Sequence, residues 1–228
     1  DLFGETVYLD NAAATRLDER VLEAMKPYLF DTYAVATSQF GYSAGIESRE
    51  ALEKARTMIA DRLGAKPEEF VFTSGSTESS NMAIKGVAAA LGEKKGRHII
   101  TTKIEDFPVL HSARTLEKRG FEVTYLPVDG TGRLDLDRLD AAVTPETILV
   151  SVQTANQEIG TTQDIHAVGA ICREKDVIFH TDATHAFPRV PLLVDEVGAD
   201  LVTVTPYLIH GPKGVGGLYV REDTPLTK

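Results

Sequence analysis

The chain has 228 residues, of which 43% are hydrophobic and 25% are charged, an ordinary composition for a globular protein. Its net charge of −10 argues against a general binder of nucleic acid or of an anionic membrane, because both require a basic face. The single cysteine, Cys172, permits no intrachain disulfide and fits a reducing, cytoplasmic setting. No apolar run reaches the ~20 residues of a membrane-spanning helix.

Seven short β-rich runs follow one another along the chain. The predicted strands are Glu69–Thr73, His98–Thr102, Glu122–Leu126, Thr147–Val152, Val177–Thr181, Asp200–Thr205 and Gly217–Arg221. Several of them, such as the run ILVSV at 148–152, are apolar on both faces, which is typical of buried parallel strands.

Amphipathic helical patterns separate most of these runs. The predicted helices are Ala44–Leu63, Ser76–Leu91, Pro108–Arg119, Asp164–Lys175 and Pro191–Val197. The alternation predicts one α/β domain over residues 1–228, with a mainly parallel seven-stranded sheet covered by helices. Ligands of such sheets bind beyond the carboxyl ends of the strands, so we expect the informative residues directly after each strand.

The first predicted strand runs into TSGSTES at the start of a helix. Gly75, Ser76 and Thr77 would place free backbone N–H groups and two hydroxyls at a helix N-terminus, which favours an anion. Taken alone, these residues are more often an ordinary Ser/Thr N-cap, because such caps are common. The chain contains neither a Walker motif nor GxGxxG, so nucleotide binding has little support.

The fifth predicted strand ends in HTDATHAF, and three interpretations compete there. His180, Asp182 and His185 have ligand chemistry for a metal, although the pattern is weak without a fourth group. Alternatively, Asp182 pairs with a protonated ring nitrogen of a heteroaromatic cofactor. The third interpretation is a buried aspartate satisfied by backbone N–H groups.

Two further strand ends carry polar side chains. QTANQEIG places Asn156, Gln157 and Glu158 in one loop. Glu105 and Asp106 precede a predicted helix, where we expect them to stabilise the helix dipole. Together the strand ends supply an anion cradle, an acidic partner and an amide, which is the outline of a site for a phosphate-bearing heteroaromatic cofactor.

The segment VTVTPYLIHGPKGVGGLYV at 202–220 joins two apolar strands through a corner rich in turn-forming residues. Such a corner normally presents a reactive group. Its tip, Pro206-Tyr207-Leu208-Ile209, offers only a phenol and aliphatic carbon.

Six segments resemble those of the cysteine desulfurases, which belong to the class V aminotransferase group. They are YLDNAAAT (8–15), FTSGSTESSNMAIKG (72–86), FEVTYLPVDGTGRLD (121–135), ANQEIGTTQ (155–163), FHTDATHAF (179–187) and HGPKGVGGLYVR (210–221). The resemblance covers nearly all of the chain. It implies the pyridoxal-phosphate type I fold and removal of sulfur from L-cysteine, commonly for iron–sulfur cluster assembly. It also implies a homodimer and a sulfur-acceptor or iron–sulfur scaffold protein as partners.

The resemblance also implies roles for matching residues. Ser76 and Thr77 match the cradle for the cofactor's phosphate, and Thr205 matches a further phosphate hydroxyl. Asn156 matches the residue near the phenolic oxygen. Asp182 matches the partner of the pyridine nitrogen, which keeps that nitrogen protonated and the ring an electron sink.

The departures from the family pattern concentrate around the same cofactor. Leu208 stands where the family has its Schiff-base lysine, and Tyr207 where it has the neighbouring histidine. Asp106 replaces the ring-stacking histidine, and His185 replaces the usual glutamine. Lys213 matches the family's own second lysine in GPKG, so it is not a displaced substitute.

These departures predict a catalytically impaired protein, a pseudoenzyme that serves as a scaffold or dimer partner. Leucine can neither form a Schiff base nor move a proton. One alternative is an active pyridoxal-phosphate enzyme completed by a partner chain. Another is a metal-dependent enzyme that uses His180, Asp182 and His185, although the resemblance explains two of these without metal.

The resemblance further leads us to expect that residues 1–228 form the family's large domain without its smaller C-terminal domain. The family's nucleophilic cysteine loop belongs to that smaller domain. Cys172 is no substitute, because with Ile165 and Val168 it lies on the apolar side of a predicted helix. Buried thiols in such places are usually inert packing groups.

Overall fold

A computed structural model of the chain describes residues 4, 7–37 and 42–227. The α-helices within these residues are α1 Glu19–Phe30, α2 Ser43–Leu63, α3 Ser76–Leu91, α4 Phe107–Glu117, α5 Leu136–Ala142, α6 Ile165–Glu174 and α7 Val194–Val197. The strands are β1 Phe70–Thr73, β2 His98–Thr102, β3 Glu122–Leu126, β4 Thr147–Ser151, β5 Ile178–Asp182, β6 Leu201–Val204 and β7 Gly216–Val220.

The strands form one seven-stranded sheet in the order β1-β7-β6-β5-β4-β2-β3. Strands β2 to β6 pair in parallel, whereas β7 runs antiparallel to both β1 and β6. The predicted α/β fold with a mainly parallel seven-stranded sheet is confirmed. Because six strands run the same way, their carboxyl ends meet at one edge.

Each face of the sheet has its own hydrophobic core. Alternate residues of a strand point to opposite faces, so Ile99 packs in one core and Ile100 in the other. The first core contains Ile84, Val87 and Val109 from helices α3 and α4. Helices α2, α6 and α7 contribute to the second core.

The sequence did not predict two of the helices. Helix α1 has no buried residue and contains Pro27, a residue that usually ends or kinks a helix. Helix α5 has only seven residues. The helix predicted at Pro191–Val197 is shorter, because only Val194–Val197 are helical.

Two glycines allow β7 to lie close to β1 and to the start of α3. A Cβ atom on Gly217 would stand 2.0 Å from the ring of Phe70. One on Gly216 would stand 2.6 Å from the backbone of Gly75. Since real Cβ atoms do not approach so closely, these contacts fix the turn before α3 against β7.

The packing role predicted for Cys172 agrees with its position. Its side chain is 1% exposed on α6, in the same core as Ile165 and Val168. Burial raises the pKa of the thiol to about 12, so it stays protonated and inert at neutral pH. The prediction of a packing role is confirmed.

No helix among residues 7–37 and 42–227 combines the length and apolarity needed to cross a membrane.

Candidate cofactor-binding site

The start of α3 lies at the carboxyl edge of the sheet and is not capped by a side chain. The N-cap is Gly75, so the Ser/Thr N-cap interpretation is wrong. The first N–H groups of any helix have no partner within the helix. Here they, together with the hydroxyls of Ser76 and Thr77, stand at the positive end of the helix dipole, where an anion is favoured.

A cleft of about 430 Å³, which we call the cradle cleft, opens at this helix start. It is lined by Ala13, Ala14, residues 74–78, Tyr207 and residues 213–215. Lys213 adds a positive charge to the cleft. Thr205, which is 3% exposed, donates its hydroxyl to the carbonyl of Val215 at 3.2 Å and so supports the cleft from below. The arrangement suits a phosphate.

Glu78 also belongs to this cleft, but its carboxylate is already engaged. It accepts the N–H of Ser74 at 2.6 Å. That hydrogen bond lowers the pKa of Glu78 below its ordinary value. The carboxylate therefore fixes the turn before α3, and the N–H groups of the first helical turn stay available.

Asp182, at the end of β5, lies beside α3. It is 3% exposed; its Oδ1 accepts the N–H of Thr184 at 2.9 Å, and Ser80 donates its hydroxyl towards Oδ2 at 3.5 Å. Ser80 is one helical turn from the start of α3. Burial raises the pKa of Asp182. The backbone bond agrees with a buried, satisfied aspartate, while Oδ2 retains capacity for a ring nitrogen.

His180 is not available as a ligand, because hydroxyl groups of neighbouring residues hydrogen-bond to both of its ring nitrogens. Nδ1 lies 2.8 Å from the Ser151 hydroxyl and Nε2 lies 3.0 Å from the Thr203 hydroxyl. Burial lowers the pKa of His180 to about 3, so the ring is neutral. Within the described residues no group of three or more His, Cys, Asp or Glu side chains could hold a metal. The geometry does not support the metal-site alternative.

Asp106 and His185, two of the departures from the family pattern, are neighbours. Asp106 is the N-cap of α4 and accepts the N–H of Phe107 at 2.8 Å, as expected for helix-dipole stabilisation. Its Oδ2 lies 3.9 Å from Nε2 of His185. The imidazole of His185 holds the pKa of Asp106 below its ordinary value, so this carboxylate stays ionised.

Glu105 does not stabilise the helix dipole, and that expectation was wrong. It is 5% exposed, and its Oε1 accepts the hydroxyl of Thr102 at 2.6 Å and the N–H of Gln153 at 3.1 Å. Its Oε2 is buried without a partner among the described residues. Burial raises the pKa of Glu105 to about 8. The pKa of Glu105 is thus raised, whereas the pKa of the adjacent Asp106 is lowered.

A second cleft, of about 360 Å³, opens beside these acids; we call it the acidic cleft. Residues 104–107, Leu110 and residues 156–159 line it. Asn156 is 7% exposed there; it donates to the carbonyl of Ile104 at 3.0 Å and accepts two backbone N–H groups of its own loop. Its amide therefore has one N–H left for a ligand.

The corner before β7 is held through its main chain. The carbonyl of Tyr207 accepts both the N–H and the hydroxyl of Thr15, at 3.1 and 2.7 Å. The carbonyl of Leu208 accepts a guanidinium N–H of Arg189. The Leu208 side chain is 1% exposed. Burial, and then the charges of Asp106 and Asp182, raise the pKa of the Tyr207 phenol.

The sheet order and this edge define the class of protein: an α/β protein with the large-domain fold of the type I pyridoxal-phosphate transferases. Residues 7–226 match the family described as Aminotransferase class-V. The chain belongs to this family, whose cysteine desulfurases depend on pyridoxal 5'-phosphate.

Individual relatives agree with that assignment. The chain is 51% identical to "Cysteine desulfurase IscS" of Neisseria meningitidis serogroup A over 94% of its own length and 53% of the relative's. It is 50% identical to "Cysteine desulfurase, mitochondrial" of Drosophila melanogaster, over 96% of this chain and 47% of that protein. The chain thus spans about half the length of these curated relatives.

Solved structures show the same likeness. One titled "SspA in complex with cysteine" superimposes with a TM-score of 0.93 at 39% identity, over 97% of this chain and 64% of that one. An apo cysteine desulfurase from Thermococcus onnurineus NA1 has a TM-score of 0.87 at 29% identity, over 96% and 55% of the two chains.

The residues present fit part of the family's cofactor. The uncapped start of α3 fits a phosphate, and buried Asp182 fits a protonated ring nitrogen. The buried hydroxyl of Thr184 lies beside Asp182 and opposes the rise in the pKa of that carboxyl. Position 208 offers no amine for a covalent bond to the cofactor.

Proposed function

We propose that this chain is a cysteine desulfurase-type protein that binds pyridoxal 5'-phosphate without a covalent bond and is catalytically impaired. The observation that carries the proposal is Leu208, an aliphatic side chain buried at the position of the family's reactive lysine. Loss of a general acid–base group alone costs about 10²–10⁴-fold in rate, and covalent attachment is lost as well.

Different residues of the chain would hold the phosphate and the ring nitrogen of the cofactor. The first-turn N–H groups of α3, with Ser76, Thr77 and Lys213, would hold the phosphate. Asp182 would keep the ring nitrogen protonated. The bound cofactor supplies an electron sink for the substrate. Position 208 then offers no amine to take a proton from the substrate.

Reduction with borohydride tests the proposal. Pyridoxal 5'-phosphate is added to the purified protein, the mixture is reduced, and modified lysines are mapped by peptide mass. We expect reversible absorbance changes from bound cofactor but no stoichiometric adduct, and no sulfide release from cysteine. A stoichiometric adduct on Lys213 or Lys103, together with cysteine turnover, would refute the proposal.

The proposal includes a homodimer and a sulfur-acceptor or iron–sulfur scaffold protein as partners. Large exposed apolar side chains support an assembly: Phe107 is 70% exposed and Ile159 56% exposed, and both line the acidic cleft. Phe30 and Tyr33 are also 70% and 75% exposed. Light scattering should give a dimer, and a monomer at micromolar concentration contradicts this part. The free thiol of Cys172 supports a cytoplasmic setting.

The same exposed side chains favour a second candidate function, an active enzyme completed by a partner chain. Phe107 and Ile159 line the acidic cleft, which would lie against such a chain. Borohydride reduction in the presence of a candidate partner separates the two functions. A reducible adduct on the partner's lysine supports completion, whereas its absence supports impairment.

A further inference from the structure

The corner that joins β6 to β7, residues 205–215, lies between the two halves of the candidate site. The sheet order places β7 and β6 between β1, which leads into the cradle cleft, and β5, which ends at Asp182. Asp182 pairs with Thr203 of β6, and the corner follows directly after Val204, where β6 ends. A ligand that holds its phosphate at the start of α3 and its ring at Asp182 must therefore pass this corner.

The cradle cleft does not extend past the corner to the ring-binding half of the site. Asp182 is 3% exposed and lines neither the cradle cleft nor the acidic cleft. Among the described residues, none lines both clefts. The phosphate-binding half is thus accessible, whereas the carboxylate proposed to pair with the ring nitrogen is buried.

Tyr207, at the tip of the corner, has neighbours in both halves of the site. Its side chain is half-buried and lines the cradle cleft. Burial, and then the charges of Asp106 and Asp182, raise the pKa of its phenol, so the phenol lies near both carboxylates. The next side chain, Leu208, is buried and lines neither cleft. Tyr207 is therefore the side chain of the corner that separates the cradle cleft from Asp182.

Hydrogen bonds fix the main chain of the corner but not the phenol. The carbonyl of Tyr207 accepts the N–H and the hydroxyl of Thr15, and the carbonyl of Leu208 accepts Arg189. The Tyr207 hydroxyl has no hydrogen-bond partner among the described residues. Its ring can change rotamer without the loss of a hydrogen bond, while the backbone keeps its path.

We infer that the ring of Tyr207 is a steric gate, which determines the size of the phosphate-bearing ligand that the site admits. The inference rests on the proposed function, because it concerns the entry of the cofactor's ring into the same site. With the ring of Tyr207 in place, the cradle cleft remains open to inorganic phosphate. Ser76 supports this, since it is 7% exposed, lines the cleft and has no partner for its hydroxyl among the described residues.

A cofactor-sized ligand, in contrast, binds only to molecules in which the ring of Tyr207 has turned aside. Its apparent affinity is then reduced by the fraction of molecules in that displaced state. Removal of the ring should therefore increase the affinity for the cofactor. A side chain that contacts the ligand directly would have the opposite effect, because its removal weakens binding.

A series of smaller side chains at position 207 tests the gate by calorimetry with two probes. Pyridoxine 5'-phosphate carries the ring and the phosphate of the cofactor but no aldehyde, so it does not react with lysines. Inorganic phosphate probes the cradle alone. From Tyr207→Leu through Tyr207→Val to Tyr207→Ala, the Kd for pyridoxine 5'-phosphate should fall progressively, by about tenfold or more at alanine. The Kd for inorganic phosphate should change by less than about threefold, because the contacts at the start of α3 remain.

Two further variants show whether the effect belongs to the ring. Tyr207→Phe retains the ring without its hydroxyl and should keep the site closed, because the gate is steric. Tyr28→Ala removes an exposed tyrosine from α1 and should change neither affinity. Thermal melts establish that each variant is folded. Since the affinity is expected to follow side-chain size, any two folded members of the series allow the comparison.

The outcomes separate the inference from the proposed function. Weaker binding of both probes to the smaller variants overturns the inference, because Tyr207 would then be a ligand contact. Tighter binding of both probes also overturns it, since the ring would then obstruct the cradle itself, and so do unchanged affinities. In these cases the proposed cofactor site stands, because pyridoxine 5'-phosphate binds. Failure of every variant to bind pyridoxine 5'-phosphate at millimolar concentration overturns both the inference and the proposed function.

Discussion

The two ends of the candidate site are built from different parts of the chain. The cradle end consists of backbone N–H groups at the start of α3, held in place by β1, β7 and the close contact between Gly216 and Gly75. The other end consists of side chains, those of Leu208 and Asp106. The cradle end keeps the residues that resemble the cysteine desulfurases, whereas the side-chain end departs from them.

The difference shows how binding and reactivity depend on separate features of one fold. A backbone cradle depends on the packing of several elements, so a single substitution rarely removes it. Covalent chemistry depends on one side chain at one corner. A chain can therefore lose the second and still present the first. The predictions below test whether the two ends are in fact separable.

The largest effect should follow Leu208→Lys. If the corner retains the family's geometry, added pyridoxal 5'-phosphate should give a stoichiometric, borohydride-reducible adduct at position 208, compared with none in the unmodified protein. Without ligand the variant should melt at a lower temperature, because a buried amine loses its hydration. Absorbance spectra and intact mass measure the adduct.

Leu208→Met is the matched control, since it has a similar length and no amine. It should give no adduct and should melt close to the unmodified protein. Adduct formation spread over surface lysines in both variants would show that the corner no longer aims its side chain into the site.

The second largest effect concerns stability and pH. Glu105 ionises near 4.5 when exposed but only at about 8 in the folded protein. Its stabilising contribution is therefore present below pH 4.5 and is lost as the pH rises to 8, by about 4 kcal/mol. Glu105→Gln should abolish this dependence, so urea denaturation should show the variant gaining relative stability between pH 5 and pH 8.

Glu78→Gln, at the cradle end, should show the opposite sign. The Ser74 N–H lowers the pKa of Glu78, so its contribution is present above pH 4.5 and lost as the pH falls through the lower folded value. The variant should lose stability at neutral pH, and the difference should shrink in acid. If Glu105→Gln and Glu78→Gln changed stability with the same dependence on pH, the opposite pKa shifts assigned to the two carboxyls would be contradicted.

Asp182→Asn should weaken the binding of pyridoxal 5'-phosphate by about 10–150-fold. The expected loss is that of one charge-assisted hydrogen bond, about 1.5–3 kcal/mol. The ligand-free variant should be at least as stable at neutral pH, because burial already opposes the ionised carboxylate. Calorimetry and thermal melts check the pair of results. A purely structural role would lower stability and affinity together.

Lys213→Gln should have the smallest effect. Lys213 is exposed, so its attraction for a phosphate is screened, and we expect a two- to fivefold weaker Kd that fades in high salt. Lys118→Gln removes a charge at the far end of α4 and should have no effect. A salt-independent loss exceeding that of Asp182→Asn would mean that Lys213 has a larger role than the structure indicates.

Much of the fold was predictable because buried parallel strands consist of short apolar runs of sequence. The predicted strands agree with β1 to β7 to within one or two residues at each end. The residues of β7 do not by themselves indicate that this strand runs antiparallel to its neighbours. That direction depends on pairing with β1 and β6, which are distant in the chain.

The site was less predictable, because its details depend on long-range contacts. The neighbourhood of Asp106 and His185 joins two loops that are 79 residues apart in the chain (185 − 106). The unpartnered oxygen of Glu105 depends on burial by surrounding elements. The sequence could not decide between a capped and an uncapped start of α3, because Ser and Thr near a helix start usually favour an N-cap, whereas here the N-cap is Gly75.

The main-chain anchoring of the corner before β7 has an evolutionary consequence. Thr15 and Arg189 hold the carbonyls of Tyr207 and Leu208 by hydrogen bonds. These main-chain contacts do not involve the side chain at position 208, so they can form with another residue there. Natural selection can therefore exchange that side chain without first rebuilding the loop. A lineage could silence its chemistry in a few substitutions and recover it by the same route, while the surrounding architecture persists unchanged.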